Sequence, residues 1–324
     1  MPNVFKSSAA KAAAWRVALA LLLVYVVWGT TYFAISLALR EMPPLWLNAS
    51  RFSAAGVAML AWALARGEAW PTPRQMLHAA LVGALMVAAA MNLVVLAQRA
   101  GIGSGLMATV VTTMPMWLTL WTRLGGERVR AQTWVGLVLG VAGAALLALE
   151  RDFSATLAGA LMAFGAPLAW SVGSYASRRL VQPAPAMAAG LQWLVGGLIC
   201  AAVAVPLEPV DALLGASAHA WMAWGYLLVL GTLVALNAYL WLLKNVSAAL
   251  AGSYSFVNPA VALLVGTVLG GEHLSGWVWL ALPLIFAALA LIMNLAPALS
   301  GESLAALRSA WHAARRGVGR LAGL

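Results

Sequence analysis

The sequence is poor in charge and in cysteine. Only 9% of its 324 residues are charged, whereas an ordinary soluble domain carries roughly 25%, so a water-soluble globular fold is excluded. The single cysteine, Cys200, lies in an apolar run, which leaves no internal disulfide framework and no thiolate metal cluster. We interpret Cys200 as a packing residue.

Acidic side chains are absent from the middle of the long apolar runs. A buried carboxylate proton relay and an acidic sodium site therefore have no candidate, which favours facilitated export or weakly coupled antiport. The four histidines lie near the ends of runs or in the C-terminal tail, and no H-E-x-x-H, acidic metal motif or Ser/His/Asp grouping occurs. The sequence thus predicts no enzyme, no metal and no cofactor.

Hydrophobic residues make up 64% of the chain, and they fall into ten runs long enough to cross a bilayer as helices. The predicted spans are 17–39, 44–65, 75–98, 104–122, 133–149, 157–177, 187–205, 220–243, 249–269 and 276–296. Arg51 falls inside the second span near one end, where we expect it to reach the membrane interface or to meet Glu41. The fold class is therefore all-α and integral to the membrane.

Lys and Arg set the orientation, because cytoplasmic loops retain them. With the N-terminus inside, fifteen of the 19 Lys and Arg residues lie on the cytoplasmic side and four on the far side. The net charge of +10 then reflects topology rather than a nucleic-acid partner. The basic tail, 301–324, is predicted to lie on the anionic inner leaflet or to be disordered.

Two parts of the chain have similar sequences. The stretch from Arg99 through Pro115 to Gly-Gly-Glu at 125–127 is echoed from Lys244 through Pro259 to Gly-Gly-Glu at 270–272. Trp28-Gly29 is similarly echoed by Trp170-Ser171, and the offsets are 142 to 145 residues. This predicts two five-helix repeats, 1–150 and 151–300. Because five is an odd number, the repeats should sit in the membrane in opposite orientations, which is typical of alternating-access transporters.

Polar and aromatic side chains near mid-span are candidates for lining a solute path, because lipid-facing positions do not need them. Spacings of four residues place Trp28 with Tyr32, and Tyr254 with Asn258, on shared helix faces. The candidate substrate-binding residues are Trp28, Tyr32, Asn92, Trp170, Asn237, Tyr239, Tyr254 and Asn258. Of these, Asn237 and Tyr239 are expected to lie closer to the cytoplasmic end of their helix. Each has a structural alternative, since asparagines tie helices together and aromatic residues form interfacial belts; Trp28 and Trp170 are predicted to lie too deep for a belt.

Pro115 and Pro259 fall inside predicted spans at equivalent repeat positions, where each removes a backbone hydrogen bond and favours a kink. The kinks could be hinges or static bends. The Gly-Gly pairs at 125–126 and 270–271 are typical of helix C-termini. The predicted cavity is aromatic and amide-lined, which suits neutral, zwitterionic or lipophilic-cation solutes and disfavours anions, because no Lys or Arg is expected at mid-depth.

Four segments carry a family likeness: 25–33 (YVVWGTTYF), 43–44 (PP), 51–52 (RF) and, at greatest length, 236–275 (LNAYLWLLKNVSAALAGSYSFVNPAVALLVGTVLGGEHLS). They resemble the EamA branch of the drug/metabolite transporter superfamily, and are most similar to its YedA-like drug/metabolite exporters. The resemblance implies ten helices, two cytoplasmic termini in a bacterial inner membrane, and export of small metabolites such as amino acids or drugs. It also implies a central cavity formed by helices one, three, four, six, eight and nine.

Alternatives remain open within this reading. The chain could import or exchange another small metabolite, for example a sugar, and a channel is a less favoured reading because filters usually show carbonyl-rich loops or rings of charge. The predicted partners are a small-molecule solute and membrane lipids, without nucleic acid. The sequence leaves the cargo, the energy source and the oligomeric state open.

Overall fold

The computed structural model describes residues 3–126, 131–147, 157–245, 254–271 and 276–292. Every regular element in these ranges is a helix. The elements in chain order are α1 (Asn3–Ala38), α2 (Pro44–Ala65), α3 (Pro73–Gly83), π1 (Ala84–Met91), α4 (Asn92–Arg99), α5 (Ser104–Val111), α6 (Met114–Leu124), α7 (Ala131–Leu147), α8 (Leu157–Arg179), α9 (Pro185–Leu207), α10 (Val210–Leu214), α11 (Ala218–Tyr226), π2 (Leu227–Val234), α12 (Ala235–Asn245), α13 (Tyr254–Gly270) and α14 (Gly276–Ile292).

Proline and capping residues mark where several helices begin. Pro44, Pro73 and Pro185 stand at the first positions of α2, α3 and α9, where the missing N–H costs no helical hydrogen bond. The start of α3 also has a capping box. Gln75 N donates to Thr72 Oγ1 at 3.3 Å, and Thr72 N donates to Gln75 Oε1 at 2.9 Å, which pairs two of the amides that a helix start leaves free.

Two of the long helices contain a π-helical segment of eight residues. The first is the continuous helix α3–π1–α4, and the second is α11–π2–α12. Ala84 and Leu227, the first residues of π1 and π2, are 143 positions apart, which matches the offset of the sequence repeat. Because π turns are rare and are frequently found at functional sites, the pair marks equivalent positions of interest that the apolar pattern does not predict.

The fourth predicted span is divided in two. Thr112 and Thr113 separate α5 from α6, and Pro115 follows at the second position of α6. Proline has no N–H for the carbonyl four residues back, and its ring crowds that carbonyl, which explains a break just before it. The threonine hydroxyls donate at 2.6 and 2.8 Å to carbonyls three residues earlier. Pro259, in contrast, lies inside α13.

The end of α2 lies beside the start of α9, and the end of α9 lies beside the start of α2. Glu68, just after α2, accepts a hydrogen bond from Met187 N in the first turn of α9 at 3.1 Å. Glu208, just after α9, accepts from Leu45 N and Trp46 N in the first turn of α2 at 2.9 and 3.1 Å. Each carboxylate pairs free amides at the positive end of the other helix. The two helices are therefore antiparallel, although they hold equivalent places in the repeat.

Glycines bring α2 and α9 together backbone to backbone. A Cβ at Gly56 would lie 2.4 Å from Leu194 N, and a Cβ at Gly197 would lie 2.5 Å from Ser53 N. Small residues permit this approach in a membrane, where lipid gives no hydrophobic drive between helices and close packing must supply the attraction. The α2/α9 pair forms the most extensive described contact between the two halves of the chain.

Several of the other helix contacts recur when the two halves are exchanged. α1 contacts α12 and α13, and α8, its counterpart, contacts α4, π1, α5 and α6. α7 contacts α14, which is its own counterpart in the second half. The structure thus carries the predicted repeat as a pattern of packing.

Long apolar helices with exposed apolar faces fit a lipid environment. Within the described ranges, five helices are long and apolar enough to cross a membrane: Trp15–Ala38, Pro73–Arg99, Leu157–Arg179, Pro185–Leu207 and Ala218–Tyr239. Three apolar helices are shorter: Ala131–Gly143, Val257–Gly270 and Gly276–Ala288. Side chains such as Val138, 69% exposed, and Leu161, 65% exposed, would be a liability in water.

Some described helix ends agree with the predicted spans and others do not. α2 begins and ends with the second predicted span, whereas α1 begins at Asn3, well before the first predicted span. Gly126 and Gly271 have φ angles of +90° and +66° just after the ends of α6 and α13, which confirms that the Gly-Gly pairs end helices. Residues 127–130, 148–156, 246–253, 272–275 and 293–324 lie outside the described ranges. They include the start of the ninth predicted span, the end of the tenth and the basic tail.

Candidate solute site

Three aromatic rings from α1, α12 and α13 form a cluster, called here the aromatic triad: Trp28, Tyr239 and Tyr254. The ring centroids are 5.3 Å apart for Trp28 and Tyr239, 4.9 Å for Trp28 and Tyr254, and 5.4 Å for the two tyrosines. Both pairs that include Tyr254 are edge-to-face, with interplanar angles of 79° and 85°, the arrangement that the ring quadrupole favours. All three side chains are half-buried. The fold therefore brings together three predicted site residues that are far apart in the chain.

The indole of Trp28 is held by π2. Its Nε1 donates to Gly231 O at 2.9 Å, and this bond fixes the orientation of the ring in the triad. A Cβ at Gly231 would lie 3.0 Å from Thr31 Cγ2, so glycine at this position lets α1 approach π2. The Thr31 hydroxyl in turn donates to Trp28 O at 2.6 Å. Trp28 is thus positioned by a backbone group of the other half of the chain.

Arg51 of α2 reaches the next residue of π2. Its Nε donates to Thr232 Oγ1 at 3.0 Å, and its guanidinium carbon lies 4.8 Å from the centroid of the Phe52 ring. Arg51 is 6% exposed, so the expectation that it reaches the interface or meets Glu41 is wrong. The hydroxyl and the ring offer partners inside the bundle, and Glu41 instead accepts from Ser217 N and Oγ at 2.6 and 2.7 Å.

Asn258 and Tyr32 lie near the triad but have other contacts. With its side-chain nitrogen directed at the two carbonyls, Asn258 donates to Tyr254 O at 3.2 Å and to Tyr25 O at 3.3 Å, which ties α13 to α1. Tyr32 packs, half-buried, against a separate apolar cluster, and its carbonyl accepts from Gln98 Nε2 at 3.0 Å. The predicted shared face of Trp28 and Tyr32 is therefore divided between two clusters.

Asn92 belongs to a buried polar network that joins three helices. Asn48 Nδ2 of α2 donates to Asn92 Oδ1 at 2.9 Å, and Asn92 Nδ2 donates to Cys200 Sγ of α9 at 3.2 Å. Asn92 and Asn48 are 8% and 1% exposed, and Cys200 is buried, as predicted for a packing residue. Both polar ends of the Asn92 amide are therefore engaged in ties between helices, the alternative that the sequence left open.

Trp170 and Asn237 have no described contact with the rings of the triad. Trp170 is half-buried in α8, and no ring contact joins it to the triad among the described residues. Its neighbour Ser171 is fully buried and accepts from Trp121 Nε1 of α6 at 2.9 Å. Asn237 is exposed, and its Nδ2 donates to Leu233 O one turn back at 2.6 Å. Within the described ranges, no group of three or more His, Cys, Asp and Glu side chains could hold a metal ion.

Arg51, Gly231 and Thr232 are the site neighbours that sequence reasoning missed. A signal existed for Arg51, because an ionisable residue inside a membrane span is by default a functional hypothesis. No such signal existed for Gly231 and Thr232, which look like packing residues in an apolar run. Their importance follows from π2, whose presence the hydrophobic pattern does not reveal.

Comparison with known proteins shows which family the chain matches. Residues 15–149 and 157–294 match the EamA-like transporter family. The chain is 39% identical over 274 residues to "Uncharacterized inner membrane transporter YedA" of Escherichia coli (strain K12), covering 84% of this chain and 89% of that protein. It is 25% identical over 312 residues to "Uncharacterized transporter sll0355" of Synechocystis sp., covering 86% and 89%. A solved crystal structure with 25% sequence identity matches at a TM-score of 0.60, covering 88% of this chain and 99% of that chain.

The two matched segments coincide with the two sets of structural counterparts. π1 lies in the first segment and π2 in the second, so the repeat in the sequence corresponds to two successive copies of one family domain. The aromatic triad uses a ring from the first copy and two rings from the second. This chain belongs to the EamA-like transporter family, a family of membrane transporters.

Proposed function

We propose that the chain exports small metabolites across the bacterial inner membrane by alternating access, with the aromatic triad at its central solute site. The proposed cargo comprises neutral or aromatic amino acids and drug-like solutes of similar size. The observation that carries the proposal is the meeting of Trp28, Tyr239 and Tyr254 from three helices. Aromatic faces bind apolar groups by contact and ammonium groups by cation–π attraction.

The proposed topology has ten transmembrane helices in two inverted halves, 1–150 and 151–300, with both termini and the tail 301–324 in the cytoplasm. The antiparallel arrangement of α2 and α9, which are equivalent helices of the repeat, supports the inversion. The distribution of Lys and Arg along the sequence supports the orientation. The name of the relative in Escherichia coli, an inner membrane transporter, supports the location.

The site is shared between the two halves. Trp28 and Arg51 come from the first family domain, whereas Gly231, Thr232 and Tyr239 come from the second. A rocking movement of one half against the other would change these contacts, which is how inverted repeats expose one midplane site to each side in turn. Pro115 and Pro259 are proposed hinges for that movement, one beside a helix break and one inside a helix.

Counterflow in proteoliposomes tests the proposal. Vesicles preloaded with a mixture of unlabelled neutral and aromatic amino acids, or separately with a lipophilic cation, are diluted into medium with labelled solute. A carrier accumulates label transiently, whereas a channel does not. We expect the parent protein to accumulate label, and Trp28→Ala to lower the initial rate at least about tenfold, the equivalent of 1.4 kcal/mol.

The matched control is Trp62→Ala, which removes the same side chain from an exposed position on α2, where Trp62 is 53% exposed. We expect this variant to keep the parent rate at equal amounts of folded protein. Saturable efflux without counterflow would contradict the carrier. Equal losses in both tryptophan variants would contradict the triad as the solute site. Direction is tested in cells, where expression should lower the internal level of a cargo that shows counterflow.

A further inference from the structure

Arg51 is a buried cation whose outer nitrogens have no protein partner among the described residues. Its Nε is paired with Thr232 Oγ1, and no carboxylate of the described ranges lies within ion-pair distance. The described side-chain atoms that are both sealed from solvent and unpaired are Gln98 Oε1, Trp117 Nε1 and Gln182 Nε2. The nitrogens Nη1 and Nη2 of Arg51 are not among them, so they are not sealed from their surroundings.

Thr232 fixes the guanidinium by one edge. The Thr232 hydroxyl gives its own hydrogen to Leu227 O at 2.9 Å, and it is therefore the acceptor in its bond with Arg51 Nε at 3.0 Å. The Phe52 ring supports the guanidinium plane at 4.8 Å. With Nε engaged, the fork of Nη1 and Nη2 remains, and this fork matches the two oxygens of a carboxylate.

The cation and the triad are adjacent. Arg51 Nη2 lies 3.7 Å from the place where a Cβ of Gly231 would stand, and Gly231 O accepts the indole N–H of Trp28. Consecutive residues of π2 thus hold the Trp28 indole and the Arg51 guanidinium. A ligand that covered both would place an anionic end at Arg51 and an apolar or aromatic body against the rings.

An unpaired guanidinium inside a membrane protein is costly, because burial removes its hydration without supplying a counter-charge. A solute that carries one negative charge would complete the site. We propose that Arg51 is the anchor for the carboxylate of the transported solute, and that the cargo is a small molecule with one carboxylate joined to an apolar or aromatic body. This inference rests on the proposed function, and it replaces the expectation from sequence that anionic groups are disfavoured.

The test compares two probes that share one skeleton, 3-phenylpropionate and 3-phenylpropanol. Binding is measured as the shift in melting temperature of the purified protein, and transport as inhibition of counterflow in proteoliposomes. For the parent we expect the carboxylate to act at a concentration at least about tenfold lower than the alcohol, since a charge-assisted hydrogen bond replaces an apolar or neutral contact. In Arg51→Gln the ratio of the two effective concentrations, alcohol to carboxylate, should fall to about one.

The ratio within one variant does not depend on how much protein is folded, so partial misfolding does not imitate the result. If Arg51→Gln does not fold, Thr232→Val is used; it keeps the charge, removes the acceptor that aligns it, and should lower the ratio several-fold. Arg51→Lys should keep part of the preference. The control Arg66→Gln changes an exposed arginine beside Trp62 and should leave the ratio unchanged.

Each other outcome overturns a defined part of the account. A ratio of one in the parent, no binding of the carboxylate, or a ratio that survives Arg51→Gln overturns the anchor. Stronger competition by phenyl phosphate than by 3-phenylpropionate overturns the carboxylate in favour of a phosphate. Selective binding of the carboxylate without counterflow of any probe leaves the anchor intact and contradicts the proposed transport.

Discussion

The two copies of the family domain share a geometry and differ in chemistry. Each copy has a π segment, and the two segments start 143 positions apart. π1 (ALMVAAAM) contacts α8 and α9. π2 (LLVLGTLV) contacts α1 and α2, where Gly231 and Thr232 bind Trp28 and Arg51. The polar residue next to π1, Asn92, is engaged in ties between helices.

Under the proposed function, this difference suits the recognition of an asymmetric solute by a duplicated scaffold. Equivalent packing in both copies would supply the two related halves that alternating access needs. A small molecule has no matching symmetry, so its recognition groups need to gather in one place. The described contacts put the aromatic rings and the buried cation around π2, and leave the region of π1 to helix packing.

Of the packing features that the two copies share, we expect the glycine contact between α2 and α9 to be the most sensitive to substitution. We expect Gly56→Ala to lower the free energy of unfolding by about 3 kcal/mol, the upper end for overpacking, because its Cβ would lie 2.4 Å from Leu194 N and backbone cannot yield as a side chain can. Denaturation in detergent micelles measures this. The control is Gly225→Ala, where a Cβ meets nothing within 4 Å. Equal stability of the two variants would contradict the close packing.

A second experiment asks whether the polar network of the first copy serves packing alone. Asn92→Leu leaves the buried amide of Asn48 without its acceptor, which should cost about 1–3 kcal/mol of stability, while counterflow per folded molecule should stay near the parent rate. Replacing Asn48 as well, by Leu, should restore part of the stability, because no polar group is then left unpaired. A lost transport rate at unchanged stability would instead place Asn92 in the solute path.

Glu208 caps the start of α2 and Glu68 caps the start of α9, so the two copies can be compared by removing each cap in turn. We expect Glu208→Gln to cost about 1 kcal/mol of unfolding free energy and Glu68→Gln less. Glu208 accepts from two amides, Leu45 N and Trp46 N, whereas Glu68 accepts from one. Thermal unfolding of the single and double variants measures both. The reverse order would contradict the assigned hydrogen bonds.

The smallest expected effect is a pH dependence at the loop after α1. The backbone N–H and the hydroxyl of Ser217, with a smaller contribution from His219, lower the pKa of Glu41 below its ordinary value. A lowered pKa means that the link contributes at neutral pH and is lost as pH falls through the lowered value. The protection factor of the amides at the start of α11, which is the exchange rate corrected for its intrinsic dependence on pH, should therefore fall at acidic pH in the parent. In Glu41→Gln the protection factor should be low and independent of pH in that window.

Much of the fold follows from the sequence, because apolar length, proline and glycine act locally. Pro44 and Pro185 start helices, and Gly126 and Gly271 end them. The repeat offset is visible in the amino-acid sequence, and the two π segments of the structure are separated by an offset in the same range. The break at Thr112 and the π segments themselves were not predicted, because both depend on which backbone carbonyl finds which partner, and hydropathy carries no such information.

The candidate site could be predicted only in part. Trp28 and Tyr254 stand out because rings at mid-span are unusual, Tyr239 is expected nearer the cytoplasmic end of its helix, and the fold brings the three together. A role for Trp170 in the solute site stays a prediction, since a repeat in sequence gives equivalent backbone positions without equivalent neighbours. The position of Arg51 depends on a hydroxyl 181 residues away, a pairing that no local pattern contains.

The most direct test of an asymmetric site in a duplicated scaffold is counterflow by Trp28→Ala and Trp170→Ala at equal amounts of folded protein. The two tryptophans hold equivalent repeat positions, and only Trp28 contacts the other two rings of the triad among the described residues. We predict a loss of at least about tenfold for Trp28→Ala, the equivalent of 1.4 kcal/mol, and a rate for Trp170→Ala within about twofold of the parent. Equal losses in the two variants, or a greater loss for Trp170→Ala, would contradict the account.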